Sequence, residues 1–291
     1  LFKNKVLQGK ETIFSSKSTL NLNGRLFDIQ KPKVVGILNI TTDSFFDGGK
    51  YQTETQIIKR VEEMMREGAD IIDIGAQSTR PGAEEVPLEE EIKQIQTASS
   101  LILKEFPEAI LSIDTYRASV AKAGFDHGAL MINDISGGTL DNQMLSSVAA
   151  MNIPYILMHS KGTPKTMQSL THYDNFIQEV ILNLQERLYL AKELGIKDII
   201  IDPGFGFAKS LDQNYSLLKK LSYINMLDCP ILVGLSRKSM IWKFLELSPD
   251  EALNGTTALN TIALLNGAKI IRVHDVKEAK QTIKLVEKLR H

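Results

Sequence analysis

Asp114, Asn133 and Asp202 are hydrogen-bond acceptors, and each closes a short apolar run: Ile-Leu-Ser-Ile-Asp114, Leu-Met-Ile-Asn133 and Ile-Ile-Ile-Asp202. Carboxylates gathered where a fold narrows are costly unless they meet donors or a metal. They imply a ligand rich in N–H groups, with a divalent metal as the rival. His159, at the end of Tyr-Ile-Leu-Met-His159, adjoins the set. One His among scattered Asp lacks the ligand spacing of a protein-bound zinc. Asp73, inside Ile-Ile-Asp73-Ile-Gly, stands open between a structural and a site role.

Other segments carry the opposite charge. Gln77-Ser-Thr79-Arg80-Pro81-Gly82 joins a hydroxyl, a guanidinium and a rigid turn, and Arg272-Val-His274 sets two basic side chains on alternate residues of a strand. Both suit a phosphate, although a strand-end Arg can equally pair with a structural Asp. Ser236-Arg237-Lys238-Ser239 precedes a helical pattern, so Ser239 is expected as its N-cap, with backbone N–H groups left for a carboxylate. Asp202-Pro-Gly-Phe-Gly-Phe207 combines glycines for close approach with two flat apolar rings, a place for a stacked heterocycle or simply a glycine-rich turn.

What positions these groups is a repeated grammar. Eight apolar runs end on polar residues: at Asn39, in Ile-Ile-Asp73-Ile-Gly, at Asp114, Asn133, His159, Asp202 and Ser236, and through Arg272 to His274. Such runs read as strands buried on both faces, as in a parallel sheet covered by helices. Helical spacing follows each, over 53–67, 88–106, 118–123, 144–150, 176–194, 214–221, 239–245 with 251–266, and 276–289. The fold expected is α/β, a (β/α)8 TIM barrel forming one domain over 1–291, its strand ends sharing one site. An open doubly wound sheet competes, but Gly48-Gly49 lacks the Gly-x-Gly-x-x-Gly spacing that such a fold places after its first strand. Asn23-Gly24 between alternating segments marks an N-terminal β-hairpin within 1–32, expected to cap the bottom of the ring.

Composition narrows the partners. With 24% charged residues, 43% apolar residues and a net charge of −1, the chain is an ordinary globular protein without a global basic field for nucleic acid. The single cysteine, Cys229, cannot form an internal disulfide and is expected as a buried reduced thiol. No apolar stretch reaches the roughly 18 residues that span a bilayer, so a cytoplasmic protein is expected, and a small anionic substrate stays open because a pocket can be basic on a neutral protein.

From Lys33 onward the chain resembles dihydropteroate synthases, the folate-pathway enzymes inhibited by sulfonamides. The resemblance rests on Gly36-Ile-Leu-Asn39-Ile-Thr-Thr-Asp-Ser-Phe45, Asp73-Ile-Gly-Ala-Gln-Ser-Thr79-Arg80-Pro-Gly-Ala, Ser-Ile-Asp114-Thr and Ile-Asn133-Asp134-Ile-Ser-Gly-Gly. It continues through Leu-Met158-His159, Ile-Asp202-Pro-Gly-Phe-Gly-Phe207, Val-Gly-Leu-Ser236-Arg-Lys238-Ser239 and Arg272-Val-His274-Asp-Val, all in the family's order. The resemblance implies condensation of 6-hydroxymethyl-7,8-dihydropterin diphosphate with p-aminobenzoate, giving dihydropteroate and pyrophosphate through a pterin cation, with Mg2+ on the diphosphate near Asn39. It implies that Asp114, Asn133, Met158, Asp202, Phe207 and Lys238 hold the pterin. Asn39, Thr79, Arg80, Arg272 and His274 would engage the diphosphate. Phe45, Pro81 and Ser239 would receive p-aminobenzoate. Asp47 would face the transient cation, joining Lys238, Arg80, Asp114 and Asp202 as the groups carrying the chemistry. A homodimer through outer helices is also implied.

Some residues depart from the family pattern. Thr42 stands where proline is usual, Phe46 where a small residue is common, and Ala76-Gln77 where Gly-Glu is frequent. They bear on loop rigidity and sulfonamide affinity rather than on the pterin cradle. Two rivals stand beside this reading. A pterin-binding methyltransferase domain serving a corrinoid protein shares the barrel but does not need Thr79-Arg80, Arg272, His274 or Lys238-Ser239. A paralogue could bind pterin or phosphate without turnover.

Overall fold

Side chains alternate along each strand, so one residue in two reaches the inside of a closed sheet. The computed structural model describes residues 17–40, 50–77 and 85–290. An antiparallel hairpin, β1 (Thr19–Leu22) and β2 (Arg25–Asp28), comes first. Asn23 and Gly24 both take positive φ, 50° and 93°, as the tight Asn-Gly hairpin turn demands. Eight parallel strands follow: β3 (Lys33–Asn39), β4 (Ile71–Gly75), β5 (Leu111–Asp114), β6 (Met131–Asp134), β7 (Tyr155–Met158), β8 (Ile199–Asp202), β9 (Leu232–Val233) and β10 (Ile270–Val273). Their order is β8-β7-β6-β5-β4-β3-β10-β9. The ring closes where Ile201 bridges Ile231 in parallel, its N–H donating to the Pro230 carbonyl at 2.9 Å. This is the expected (β/α)8 barrel.

Helices cover the outside: α1 (Lys50–Glu67), α2 (Leu88–Glu105), α3 (Ala118–Asp126), α4 (Met144–Met151), α5 (Phe176–Glu193), α6 (Leu211–Lys219), α7 (Ser239–Trp242), α8 (Leu253–Leu265) and α9 (Val276–Arg290). The apolar period misjudges several of their ends: α1 starts at 50 rather than 53, and α3 runs to 126 rather than 123. Helix α6 starts three residues before the expected 214, because Ser210 and Gln213 form a reciprocal capping box. The helix expected over 239–245 stops at Trp242, and a left-handed Glu246 (φ 57°) and a short 3-10 turn at Pro249–Glu251 separate it from α8.

Two apolar shells hold the barrel. The outer one packs outward-facing strand residues such as Val34, Ile72, Ile113, Leu157, Ile201 and Val273 against the helices. The inner one, formed by Val35, Ile71, Met131, Ile156, Ile200, Leu232 and Ile270, fills the lower half of the ring. Leu20 and Leu22 of the hairpin join this inner shell, so β1–β2 plugs the bottom as expected. Above the plug the lining turns polar, with Asp73, Ser112, Asn133 and Arg272 two residues further along their strands. Among the described residues no helix is long and apolar enough to cross a membrane. Cys229 is free and only partly buried, less enclosed than expected, and burial still pushes its thiol pKa up.

Candidate functional site

The strand register brings the acceptors level with one another. Asp114 pairs with Asn133 across β5 and β6, Met158 with Asp202 across β7 and β8, and Asn39 with Gly75 across β3 and β4. All five side-chain-bearing residues point inward at the C-terminal mouth, and Arg272 reaches in from β10.

Asp73, undecided from sequence, lies beneath this ring and is fully buried. Its Oδ2 accepts from Asn133 Nδ2 at 2.9 Å and from Arg272 Nε at 2.6 Å. Arg272 Nη2 then donates to Asp114 Oδ2 at 2.5 Å. One guanidinium therefore bridges two carboxylates, the bland pairing left open for a strand-end Arg. Those carboxylates hold the Arg272 pKa up despite its burial. The bond from Nδ2 also orients Asn133, leaving its carbonyl oxygen as the acceptor.

Burial dominates the titration of the cradle. It lifts Asp114 to about 7, with Arg272 and Lys238 pulling down and Asp73 pushing up. It raises Asp202 as well, opposed by the Gly204 N–H at 2.7 Å and by Lys238. Lys238 is drawn down to about 8 by desolvation, against the attraction of Asp202. Its Nζ sits 4.2 Å above the centre of the Phe207 ring, a cation–π contact. Gly206, at φ +81°, makes room for this lysine, since a Cβ there would lie 3.2 Å from Lys238 Cδ. Phe207 belongs to a small apolar cluster with Ile135, Met158, Met167 and Ala208, a wall beside the acceptors. Ile135 and Met167 come from loops and have no periodic pattern that would have singled them out.

The remaining basic segments are arranged differently from their sequence expectation. Lys238, not Ser239, is the N-cap of α7; Ser239 is the first helical residue and is exposed. The cause is Arg237, whose left-handed backbone (φ 54°) turns its side chain out to Asp275 and Asp250 and leaves Lys238 extended before the helix. Ser236 Oγ accepts from the His274 backbone N–H at 3.2 Å and lies 3.1 Å from His274 Nδ1, which ties β9 and β10 at the rim. His159 stands apart from the acceptors: it follows the inward Met158, faces outward, and contacts Lys209. Asp134 also faces outward, accepting from Tyr155 Oη at 2.6 Å and from the Ser136 and Gly138 N–H groups. Phe45, Asp47, Thr79, Arg80 and Pro81, with Thr42 and Phe46, lie outside the described residues. Gln77 Oε1 accepts from the Val86 N–H at 2.7 Å.

Residues 35–274 match the family of pterin binding enzymes. The chain belongs to this family. It is 42% identical over 266 residues to the dihydropteroate synthase of Escherichia coli K12, covering 91% of this chain and 94% of the relative. It is 44% identical over 268 residues to the Synechocystis dihydropteroate synthase, covering 91% and 92%. Among solved structures, a Yersinia pestis dihydropteroate synthase in complex with a sulfonamide drug superposes with a TM-score of 0.87 at 39% identity, covering 94% of this chain and 99% of that one. A Xanthomonas albilineans dihydropteroate synthase with 4-aminobenzoic acid gives 0.87 at 36% identity, covering 94% and 98%. The family's chemistry makes this chain an enzyme, a transferase of folate synthesis that forms dihydropteroate.

Proposed function

We propose that the chain joins a dihydropterin diphosphate to p-aminobenzoate at the barrel mouth by a dissociative path. The observation that carries this reading is the buried row of Asp114, Asn133 and Asp202 beside Lys238 and the Phe207 wall. Asp114, Asn133 and Asp202 accept from the N–H edge of the pterin, Lys238 donates to its carbonyl and ring nitrogen, and Met158 and Phe207 cover its face. Arg272 and His274, with Asn39, Thr79 and Arg80, hold the diphosphate.

The C–O bond to the pterin methylene breaks, and pyrophosphate leaves with the electron pair. Positive charge spreads over the pterin, where the carboxyl groups of Asp114 and Asp202 stabilise it. The arylamine lone pair then forms the C–N bond and its nitrogen releases a proton to water. Ser239 and the N–H groups opening α7 receive the p-aminobenzoate carboxylate, near Phe45, Pro81 and Asp47. No covalent enzyme nucleophile is required.

Mg2+ fits this site as a passenger of the substrate. Among the described residues no three acidic or His side chains gather to hold a metal. Asn39 is an exposed amide at the end of β3, and one such oxygen suits a hard cation that keeps its waters and phosphate oxygens. When bound, the ion neutralises charge on the leaving group. The reading includes a homodimer through outer helices and a reducing compartment.

The test follows dihydropteroate and pyrophosphate formation by the purified protein with Mg2+ and both substrates. Product should require all three, Asp202→Asn should weaken pterin binding, and Ser239→Ala should mainly raise the p-aminobenzoate KM. Tight pterin binding without product would favour the non-catalytic paralogue.

A further inference from the structure

Lys209 closes the segment that begins at Asp202, yet the mechanism above makes no use of it. It is 5% exposed, a depth at which an ammonium needs partners. Its Nζ donates to the Gly204 carbonyl at 2.9 Å and to the Phe207 carbonyl at 3.0 Å, and lies 2.9 Å from His159 Nδ1. An ammonium has three protons and no lone pair, so His159 must accept at Nδ1 and carry its own proton on Nε2. Burial, the largest effect, and the neighbouring Lys209 both push the His159 pKa well below its ordinary value, which keeps the ring neutral. Burial likewise lowers Lys209 to about 7, against Asp202 and with Lys238 and Lys161 adding repulsion. The neutral amine would keep all three contacts if His159 moved its proton to Nδ1, because two N–H groups would still meet the carbonyls.

The segment held in this way forms one wall of the site. Gly204 donates its N–H to Asp202 Oδ1 at 2.7 Å, and the Phe207 ring lies under Lys238. The backbone is tightly wound, with Gly204 at φ +73° and Ala208 at φ +48°. A Cβ on Gly204 would come 2.0 Å from the His159 carbonyl oxygen, so the segment is pressed against the end of β7. Tyr173 Oη adds a hydrogen bond to the Ala208 carbonyl at 2.9 Å.

We propose that Lys209, seated on His159, is a positioning residue: it clasps the Gly204 and Phe207 carbonyls to the end of β7 and so sets Asp202 and the Phe207 ring for substrate. The proposal rests on the pterin reading of the site. It also gives His159 a role that is neither ligand nor mere filler.

Three substitutions in the full chain test it: Lys209→Met, which keeps the stem and removes the ammonium; His159→Leu, which removes the acceptor; and His159→Asn, whose Oδ1 reaches the Nδ1 position. Amide hydrogen exchange over 203–208 is measured without ligand. Fluorescence titration with 6-hydroxymethylpterin and the KM of each substrate complete the set. Lys209→Met and His159→Leu should speed exchange and weaken pterin binding by about fivefold or more, the scale of one lost buried hydrogen bond. The p-aminobenzoate KM should stay within about twofold, and His159→Asn should restore both properties. The clasp is overturned by wild-type exchange and pterin affinity in folded His159→Leu, by equal losses for both substrates, or by His159→Asn as impaired as His159→Leu. If Lys209→Met does not fold, the His159 pair decides. A wild-type protein that binds no pterin would overturn the functional reading, while the exchange comparison still judges the clasp.

Discussion

Asp73 accepts from both Asn133 and Arg272, so one buried carboxylate orients two side chains of the barrel mouth. Removing it as Asp73→Ala strands the half-buried Arg272 with Asp114 alone and lets the Asn133 amide rotate. Urea unfolding should show a loss of about 3 kcal/mol, the cost of breaking a buried pair, and pterin binding should fall at least about tenfold. Unchanged pterin affinity would assign Asp73 to stability only. Asp114 supplies the pH signature. Its folded pKa, about 7, stands above the ordinary 3.8, so the folded state binds the extra proton more tightly than the unfolded chain. The contribution is fully present below the unfolded value, is lost as pH rises through the folded one, and is absent above it. Relative to Asp114→Asn, the wild type should lose unfolding free energy between about pH 4 and pH 7 and run parallel beyond. Parallel curves across the whole range would contradict the burial argument. Asp114, Asn133 and Asp202 were legible because each closes an apolar run. Asp73 and Lys209 were not: the partners of Asp73, and His159 beside Lys209, come from strands distant in sequence, and the nearby Gly204 and Phe207 carbonyls meet Lys209 only through a glycine-rich turn whose path no spacing rule encodes.

At the scale of elements, parallel strands buried on both faces leave a nearly continuous apolar code, and this made the ring and its mouth readable in advance. The ends of helices were less so. Ser210 caps α6 through a local hydrogen bond that the apolar period does not register, and the left-handed turn at Arg237 shifts the cap of α7 by one residue. The hairpin β1–β2 was readable from Asn23-Gly24, and its energetic part follows from Leu22, 1% exposed against the inner shell. Leu22→Ala should cost about 3 kcal/mol of stability through the cavity it leaves. Because the plug lies below the layer of Asp73 and Asn133, both Michaelis constants should remain at wild-type values below the melting temperature. A changed pterin KM in this variant would mean that the bottom of the barrel sets the geometry of its mouth.

For the whole molecule, the outer face raises the question of a second copy. Leu285 and Leu289, one turn apart on α9, are 71% and 75% exposed. On the adjoining helix α8, Ile262 and Leu265 are exposed as well, and Phe244 projects just after α7. Single exposed apolar residues are ordinary, but large ones on neighbouring helices suit an isologous contact, in which the same face serves both protomers. Sedimentation equilibrium should give a dimer for the wild type and a monomer for Leu285→Glu combined with Leu289→Glu. The described part of the site, from Asn39 through Arg272, comes from the strands and loops of one chain, and the ion pairs among Asp73, Asp114 and Arg272 are all internal. The monomeric variant should therefore keep pterin affinity within about twofold. Loss of pterin binding on dissociation would show instead that the partner's contact holds the mouth in shape, and would move part of the site's preorganisation from the barrel to the assembly.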